Sequence, residues 1–202
     1  MFFTINLDFM KGGSRVVANT LLSLMFISIG AALVQAQGTK LAKIEVDKEI
    51  TLMIPADFIP MNAQDIRNKI ISYRAPKAGY TSFDRRVDMV VNVNPTPWRD
   101  QDIQLLKDFY QNNIRNLFDE VNFIQEEVKE INGRSYAVFE FISTVKGDPD
   151  SFKNRAPVHD YTWVQYTIKD QQAYVFTFHC AAGLKDQWQE TAQQIMASII
   201  FL

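Results

Sequence analysis

The stretch FIQEEVKEI-NG-RSYAVFEFISTV, from Phe123 to Val145, decides how the rest of the chain must be arranged. Asn132-Gly133 is a preferred pair for a two-residue hairpin, because both residues tolerate the positive φ of a type I′ turn. On either side, Phe123–Ile131 and Arg134–Val145 read as strands. Side chains alternate across a strand. In the second strand Ala137, Phe139 and Phe141 point one way, and Tyr136, Val138 and Ile142 point the other. Glu140 is the exception. A strand that is apolar on both faces belongs in the middle of a sheet covered on both sides. The first strand differs. Its Glu126, Glu127, Lys129 and Glu130 alternate with Val128 and Ile131, as expected of a strand at an edge or facing solvent.

Downstream, Lys146–Pro157 is a polar loop. Asp160–Lys169 and Ala173–Cys180 form a second hairpin about Asp170-Gln171-Gln172, with the tight turn at Gln171-Gln172. Tyr174, Phe176 and Phe178 share one face, and Val175, Thr177 and His179 the other. The chain closes with a helix over Lys185–Ala197, in which Trp188, Ala192, Ile195 and Ile199 keep helical spacing. Ile199–Phe201 finishes as a short edge segment.

Upstream, Asp100 and Asp102 suit the first turn of a helix, where acids meet the positive end of the dipole. Ile103, Leu106, Tyr110, Ile114, Leu117 and Val121 then recur every three or four residues, giving one buried stripe on a helix over Asp100–Val121. Pro95 and Pro97 stop the preceding strand, Arg86–Asn94. Ile44–Val46 and Ile50–Ile54 read as short strands around Asp47-Lys48-Glu49, with Pro55 ending the second. Asn62–Asn68 reads as a short helix with Asn62 as N-cap and Asp65 at N3. Ile70–Tyr73 reads as a strand and Lys77–Arg85 as a loop. The fold class is α+β, with a central antiparallel β-sheet covered by helices on both faces, an α/β/α sandwich.

The N-terminal 36 residues read as an address. Lys11 and Arg15 supply a positive n-region, and Leu21–Val34 is an uncharged, mostly apolar run of 14 residues. Val34-Gln35-Ala36 then fits a cut before Gln37. Met10 serves equally well as a start. The rival reading of the same run is a retained signal anchor, but a span needs about 20 apolar residues, and extending backward meets Thr20, Asn19 and Arg15. The mature chain 37–202 is expected to be a single domain, exported to a periplasmic or extracellular space. Its only membrane contact would be through the signal segment if uncleaved.

The 202 residues carry 21 Lys and Arg against 23 Asp and Glu, a formal charge of −2. Removing residues 1–36 takes away Lys11, Arg15 and Asp8 and leaves −3. So weak a field argues against nucleic acid as partner. Fifteen Phe, seven Tyr and three Trp exclude a disordered chain. The one cysteine, Cys180, allows no internal disulfide and reads as a small buried hydrophobe.

Catalytic chemistry has little to work with. The sequence holds no glycine-rich phosphate loop, HExxH, GxSxG or CxxC. The sharpest candidate metal or catalytic set is His159, Asp160, His179 and Cys180. With a turn at Gln171-Gln172, Cys180 falls opposite Trp163 and His179 opposite Val164. His159 is then five residues along, about 16 Å at 3.3 Å per residue. His179 and Cys180, adjacent on a strand, point to opposite faces, which works against a zinc site. The plainer expectation puts His179 beneath a helix and His159 on a loop. No catalytic, cofactor-binding or metal residues are therefore assigned, and no cofactor is expected. Arg85-Arg86 is a weak anion signal, because Asp84 and Asp88 flank it. Tyr80, Phe83, Trp98 and Phe152 lie in segments read as loops, where aromatics either pack down on the domain or anchor a partner.

Taken together, the strand leading into Pro55, the helix Asp100–Val121, the hairpin Ile131-Asn132-Gly133-Arg134 backed by Tyr136 and Phe139, the strand Tyr174–Phe178, and Trp188–Ser198 followed by Ile199-Ile200-Phe201 resemble the PsbP-like fold family. That family includes the extrinsic photosystem protein of that name and the Mog-type Ran-binding factor. The resemblance spans about residues 44–202. It implies a non-enzymatic binding or accessory role, with no catalytic motif to carry over residue by residue. The short Gln37–Ala42 segment departs from the long charged arm of the photosystem type. The expected partner is an unknown protein; the alternative is a small apolar ligand, carried in a cleft between sheet and helix. Terminal sequencing of the exported protein is expected to begin at Gln37, whereas recovery of a chain retaining Leu21–Val34 would establish the anchor reading.

Overall fold

The computed structural model describes residues 39–70, 74–147 and 156–202. Strands β1 (Leu41–Val46), β2 (Ile50–Pro55) and β3 (Ile59–Pro60) precede helix α1 (Ala63–Lys69) and strands β4 (Ala78–Thr81) and β5 (Val87–Pro95). A 3-10 turn, Asp100–Asp102, leads into α2 (Ile103–Leu117). Four long strands follow, β6 (Glu120–Ile131), β7 (Arg134–Val145), β8 (Val158–Lys169) and β9 (Gln172–Ala181). Helix α3 (Lys185–Ala197) and strand β10 (Ile200–Phe201) end the chain. The protein is thus α+β, with a seven-stranded sheet in the order β3-β4-β5-β9-β8-β7-β6 and a three-stranded sheet β1-β2-β10. Every pairing is antiparallel.

The turn residues explain the registers. Asn132 and Gly133 take φ of 50° and 77°, so the β6–β7 hairpin closes at the expected two residues. Asn132 does a second job, since its Nδ2 donates to the carbonyls of Ala197 and Ile199 at 3.1 and 2.8 Å and ties down the end of α3. In the β8–β9 hairpin the left-handed residues are Asp170 and Gln171, at φ 51° and 58°. The turn is therefore one residue earlier than Gln171-Gln172, with Lys169 opposite Gln172. Pairing slips by two positions, putting Cys180 opposite Tyr161 and His179 opposite Thr162. An even slip leaves every side chain on its expected face.

Three boundaries differ from the sequence reading. Helix α2 stops at Leu117, where Phe118 turns extended at φ −120° and ψ 155°. Glu120 is already paired with Thr144, so the β6–β7 ladder replaces the last helical turn. Val121 is a strand residue that joins the same apolar cluster as the helix stripe. Second, Ala78–Thr81 is a strand, β4, where a loop is expected. Gly79 lets Met61 lie flat against it, since a Cβ there would meet Met61 Sδ at 3.0 Å. Third, Ile70 caps α1, and the remainder of the strand read over Ile70–Tyr73 lies outside the described residues. The signal peptide and most of the Lys146–Pro157 loop also lie outside them.

Packing follows the alternation of β7. Ala137, Phe139 and Phe141 cluster with Val164, Ile168 and the α2 residues Leu106 and Ile114. Tyr136 and Val138 cluster instead with Trp163, Phe176, Phe178 and the α3 residues Ala192, Ile195 and Met196, which also meet Ile50, Leu52 and Ile54 of β2. Glu140, only 3% exposed, accepts hydrogen bonds from Tyr161 Oη at 2.8 Å and from Gln189 Nε2 of α3 at 2.6 Å. Its carboxylate is thereby matched by donors rather than stranded in apolar surroundings. At the open side of β6, a bulge between Phe123 and Gln125 and the exposed Glu127, Lys129 and Glu130 oppose sheet extension.

Phe139→Ala is expected to cost about 3–5 kcal/mol, and Leu105→Ala on the outer face of α2 within about 0.5 kcal/mol, read by urea denaturation. A cost below about 1 kcal/mol for Phe139→Ala would contradict the packing assigned to β7.

Candidate functional site

Helix α1 is short, and side chains hold it to the sheet. Asn62 Oδ1 accepts from the Gln64 and Asp65 amides at 2.8 and 2.9 Å, and Asp65 Oδ2 accepts from the Asn62 amide at 3.0 Å. This reciprocal cap holds the Asp65 carboxyl below the usual carboxylate range, helped by its ion pair with the Arg85 guanidinium. At the other end Lys69 Nζ donates to Asp88 Oδ1 at 2.6 Å, to the Arg85 carbonyl at 2.8 Å and to Thr81 Oγ1 at 3.3 Å. All three ammonium donors are used. Arg85 itself has φ +60°, a left-handed turn residue between β4 and β5.

Helix α2 packs on β6 and β7. Leu106, Tyr110, Ile114 and Leu117 follow one another at spacings of three and four, on its sheet-facing stripe. Leu106 and Ile114 are buried, yet Leu117 is 73% exposed. It reaches the part of the sheet, β5 and β9, that the helix does not cover. Between it and α1 lies a groove of about 410 Å³. The floor is Asp88, Val90, Asn92, Thr177 and His179, with Met61, Lys69 and Ile70 on one wall and Leu117 on the other. An adjoining hollow of about 330 Å³ shares Lys69, Asp88 and His179 and adds Arg85, Arg86 and Asp160. The combined groove is apolar at the Leu117 end and charged at the Arg86 end.

Two other hollows offer less. One of about 190 Å³ is lined by Arg134, which already donates to the Ile168 carbonyl at 2.8 Å. Another of about 280 Å³ is lined by Ser198, whose hydroxyl accepts from the Met53 amide and donates to the Ile195 carbonyl.

The His/Asp/His/Cys candidates do not converge on a single point. His179 Nε2 lies 3.4 Å from Asp160 Oδ2, and both line the groove. His179 is thus partly open to solvent beside α1's attachment, not beneath a helix as expected. His159 is on strand β8 rather than a loop, with Nδ1 3.0 Å from Thr144 Oγ1. Cys180 points to the opposite face from His179 and is fully buried. Burial, with Asp160 and Asp88 adding to it, pushes its thiol up to about 11. Among the described residues, no three His, Cys, Asp or Glu side chains gather as metal ligands.

The two arginines divide. Arg85 is engaged by Asp65, whereas Arg86 neighbours Asp84, whose carboxyl is held below the usual carboxylate range by the Ser82 hydroxyl, the Arg86 amide and the Arg86 charge. Of the aromatics, Tyr80 packs against the core from strand β4, and Trp98 rests on Phe109 with ring centroids 5.9 Å apart. Phe83 is 83% exposed, and Phe152 lies outside the described residues. Lys69 escapes the sequence reading, which takes Asp88 only as a charge beside Arg85-Arg86 and Leu117 only as part of the buried helix stripe. The available signal was Gly79, a glycine flanked by Ala78 and Tyr80 that marks close backbone approach.

No family model and no curated protein sequence matches the chain. Among solved structures, it is similar to the cyanobacterial PsbP, CyanoP, of Synechocystis sp. PCC 6803, with TM-score 0.55 and 14% identity over 83% of this chain and 96% of that one. It is similar to the Saccharomyces cerevisiae Ran-binding protein Mog1p, with TM-score 0.50 and 11% identity over 80% and 95%. It is similar also to LpqN of Mycobacterium tuberculosis, a protein involved in cell envelope biogenesis, with TM-score 0.50 and 11% identity over 80% and 90%. The chain has a PsbP/Mog-like fold. Among the described residues no helix is long and apolar enough to cross a membrane.

Cys180 is expected to leave a disulfide reagent such as DTNB unreacted at pH 8 in the native protein and to react fully in denaturant. Rapid native labelling would overturn the buried, protonated assignment.

Proposed function

We propose that this protein is a non-enzymatic, exported binding or accessory protein that recognises a protein partner of the cell envelope through the groove between α1 and α2. Its main sheet acts as the middle layer of an α/β/α sandwich, with α1 and α2 over one face and α3 over the other. The carrying observation is Leu117, an apolar side chain on the sheet-facing stripe of its helix that no described residue covers. An apolar patch rimmed by polar residues marks a recognition surface, and here Leu117 joins Met61, Ile70 and Val90 beside Lys69, Asp88 and His179. The PsbP/Mog-like fold supports the reading, since one similar structure is that of a Ran-binding protein and another belongs to a protein of envelope biogenesis.

Carriage of a small molecule or lipid is the weaker reading. It expects an enclosed, mostly apolar cavity. The groove is open, and six of the lining residues at its Arg86 end are ionisable. Many phenylalanines that would line a carrier's cleft, Phe139, Phe141, Phe176 and Phe178 among them, are packed in the core.

Photo-crosslinking in the producing cells tests the proposal. A benzoylphenylalanine at position 117 or 86 is expected to give a covalent adduct with one protein, and the same residue at position 105 none. Adducts of equal yield at 105, or none at 117 and 86, would overturn it.

A further inference from the structure

We propose that α1 is an electrostatically latched flap, held down on β4 and β5 by Asp65 and Lys69 and released when a charged group of the partner competes for those pairs. The inference adds regulation to the groove and rests on the reading of the groove as a recognition surface. The release itself is measured with no partner present.

Apolar packing is not what holds α1. Its one buried side chain is Asp65, a carboxylate. Among the described residues, none of its side chains belongs to either apolar cluster of the core. At seven residues it is also well short of the about 12–15 that an isolated helix needs to persist in water. The attachments it does make are polar. Asp65 pairs with Arg85, and Lys69 Nζ meets Asp88 Oδ1, Thr81 Oγ1 and the Arg85 carbonyl. Arg85 thus meets both ends of the helix, its guanidinium taking Asp65 and its carbonyl taking Lys69. Its own backbone is left-handed at φ +60°, a conformation that a residue with a side chain keeps only where its surroundings hold it. Helix and turn therefore secure one another.

Both pairs are within reach of solvent, since the Lys69 and Arg85 side chains are 25% and 43% exposed. Salt weakens ion pairs so placed, whereas it does not weaken apolar burial. An element with little apolar burial opens separately from the core. The strands beneath α1 stay paired when it does. On one side the Met61 amide donates to the Gly79 carbonyl at 2.8 Å, and on the other the Lys77 amide donates to the Val91 carbonyl at 2.8 Å. The flap is bounded by those two attachments. Lys69 and Asp88 have a second place, in the lining of both hollows of the groove. A charged side chain that enters the groove competes for the same pair that latches the helix, so its arrival favours the released state. Release takes Lys69 and Ile70 off the groove wall and widens the groove from that side.

Amide hydrogen exchange of the full-length protein, as recovered from its producing cells, tests the latch. Protection over Ile66–Ile70 is expected to fall about fivefold or more between 50 mM and 1 M NaCl, while protection over Tyr136–Phe141 of β7 holds. At 50 mM NaCl, Asp65→Asn, which keeps a cap acceptor, and Lys69→Met, which keeps the apolar stem, should each lower the protection of α1 by a similar factor. In the double variant that protection should be indifferent to salt, which a merely weaker helix would not produce. Salt-independent exchange of α1 in the parent, salt dependence that survives in the double variant, or exchange of α1 only together with β7 would overturn the proposal. Asp65 is not among the groove's lining residues, so Asp65→Asn also separates regulation from recognition. The photo-adduct at position 117 should at least double in yield in that variant. An unchanged yield from a released α1 would sink the coupling and leave the recognition surface standing, whereas absence of the adduct from parent and variant alike would remove both.

Discussion

Strand β7 imposes the constraint on which the rest of the structure depends. Ala137, Phe139 and Phe141 cannot leave water without Leu106 and Ile114 of α2, and Tyr136 and Val138 cannot without Ala192, Ile195 and Met196 of α3. Alternate side chains of this one strand therefore serve two clusters, one that includes α2 residues and one that includes α3 residues. The hydrophobic driving force is proportional to area removed from water and is indifferent to direction. The direction comes from the pleat. Glu140 shows the strength of that requirement, since a carboxylate in the same row is retained only with Tyr161 and Gln189 donating to it.

The groove is the remainder of this arrangement. A helix as short as α2 cannot cover a seven-stranded sheet, and it lies on β6 and β7. Helix α1 lies toward the other end, where Lys69 reaches Thr81 and Asp88. Strands β5 and β9 lie between them with Val90, Asn92, Thr177 and His179 upward. The polar groups there are tolerable because they meet solvent. The apolar Leu117, 73% exposed on the helix stripe, is not covered by the described residues.

The elements with strong periodicity were legible from the chain alone. The β6–β7 hairpin announces itself through Asn132-Gly133, and the stripe from Ile103 to Ile114 through its spacing. The faces of β8 and β9 were also legible, even though their register was not. Two left-handed residues could be drawn from Asp170-Gln171 or Gln171-Gln172, and neither pair holds a glycine to decide between them. Strand β4 was hidden because four residues with a central glycine carry no alternation worth reading, and only pairing with β5 makes them a strand. Leu117 was read as core for a sound reason, its place on the stripe. Whether a stripe residue is covered depends on where the helix lies over the sheet, which spacing does not encode.

The sequence by itself determined the class of fold, the two-sided hydrophobic demand of β7 and the shortage of nucleophile, base and metal motifs, because these are properties of local pattern and residue type. Only the tertiary structure decided that Lys69, Asp88 and His179 share a groove with Leu117 and Arg86. Those residues come from α1, β5 and the turn before it, β9 and the end of α2, separated by as many as 110 positions between Lys69 and His179. Their meeting follows from the strand order that places β5 beside β9 and from the length of α2. Both are outcomes of the whole chain minimising its exposed apolar surface at once.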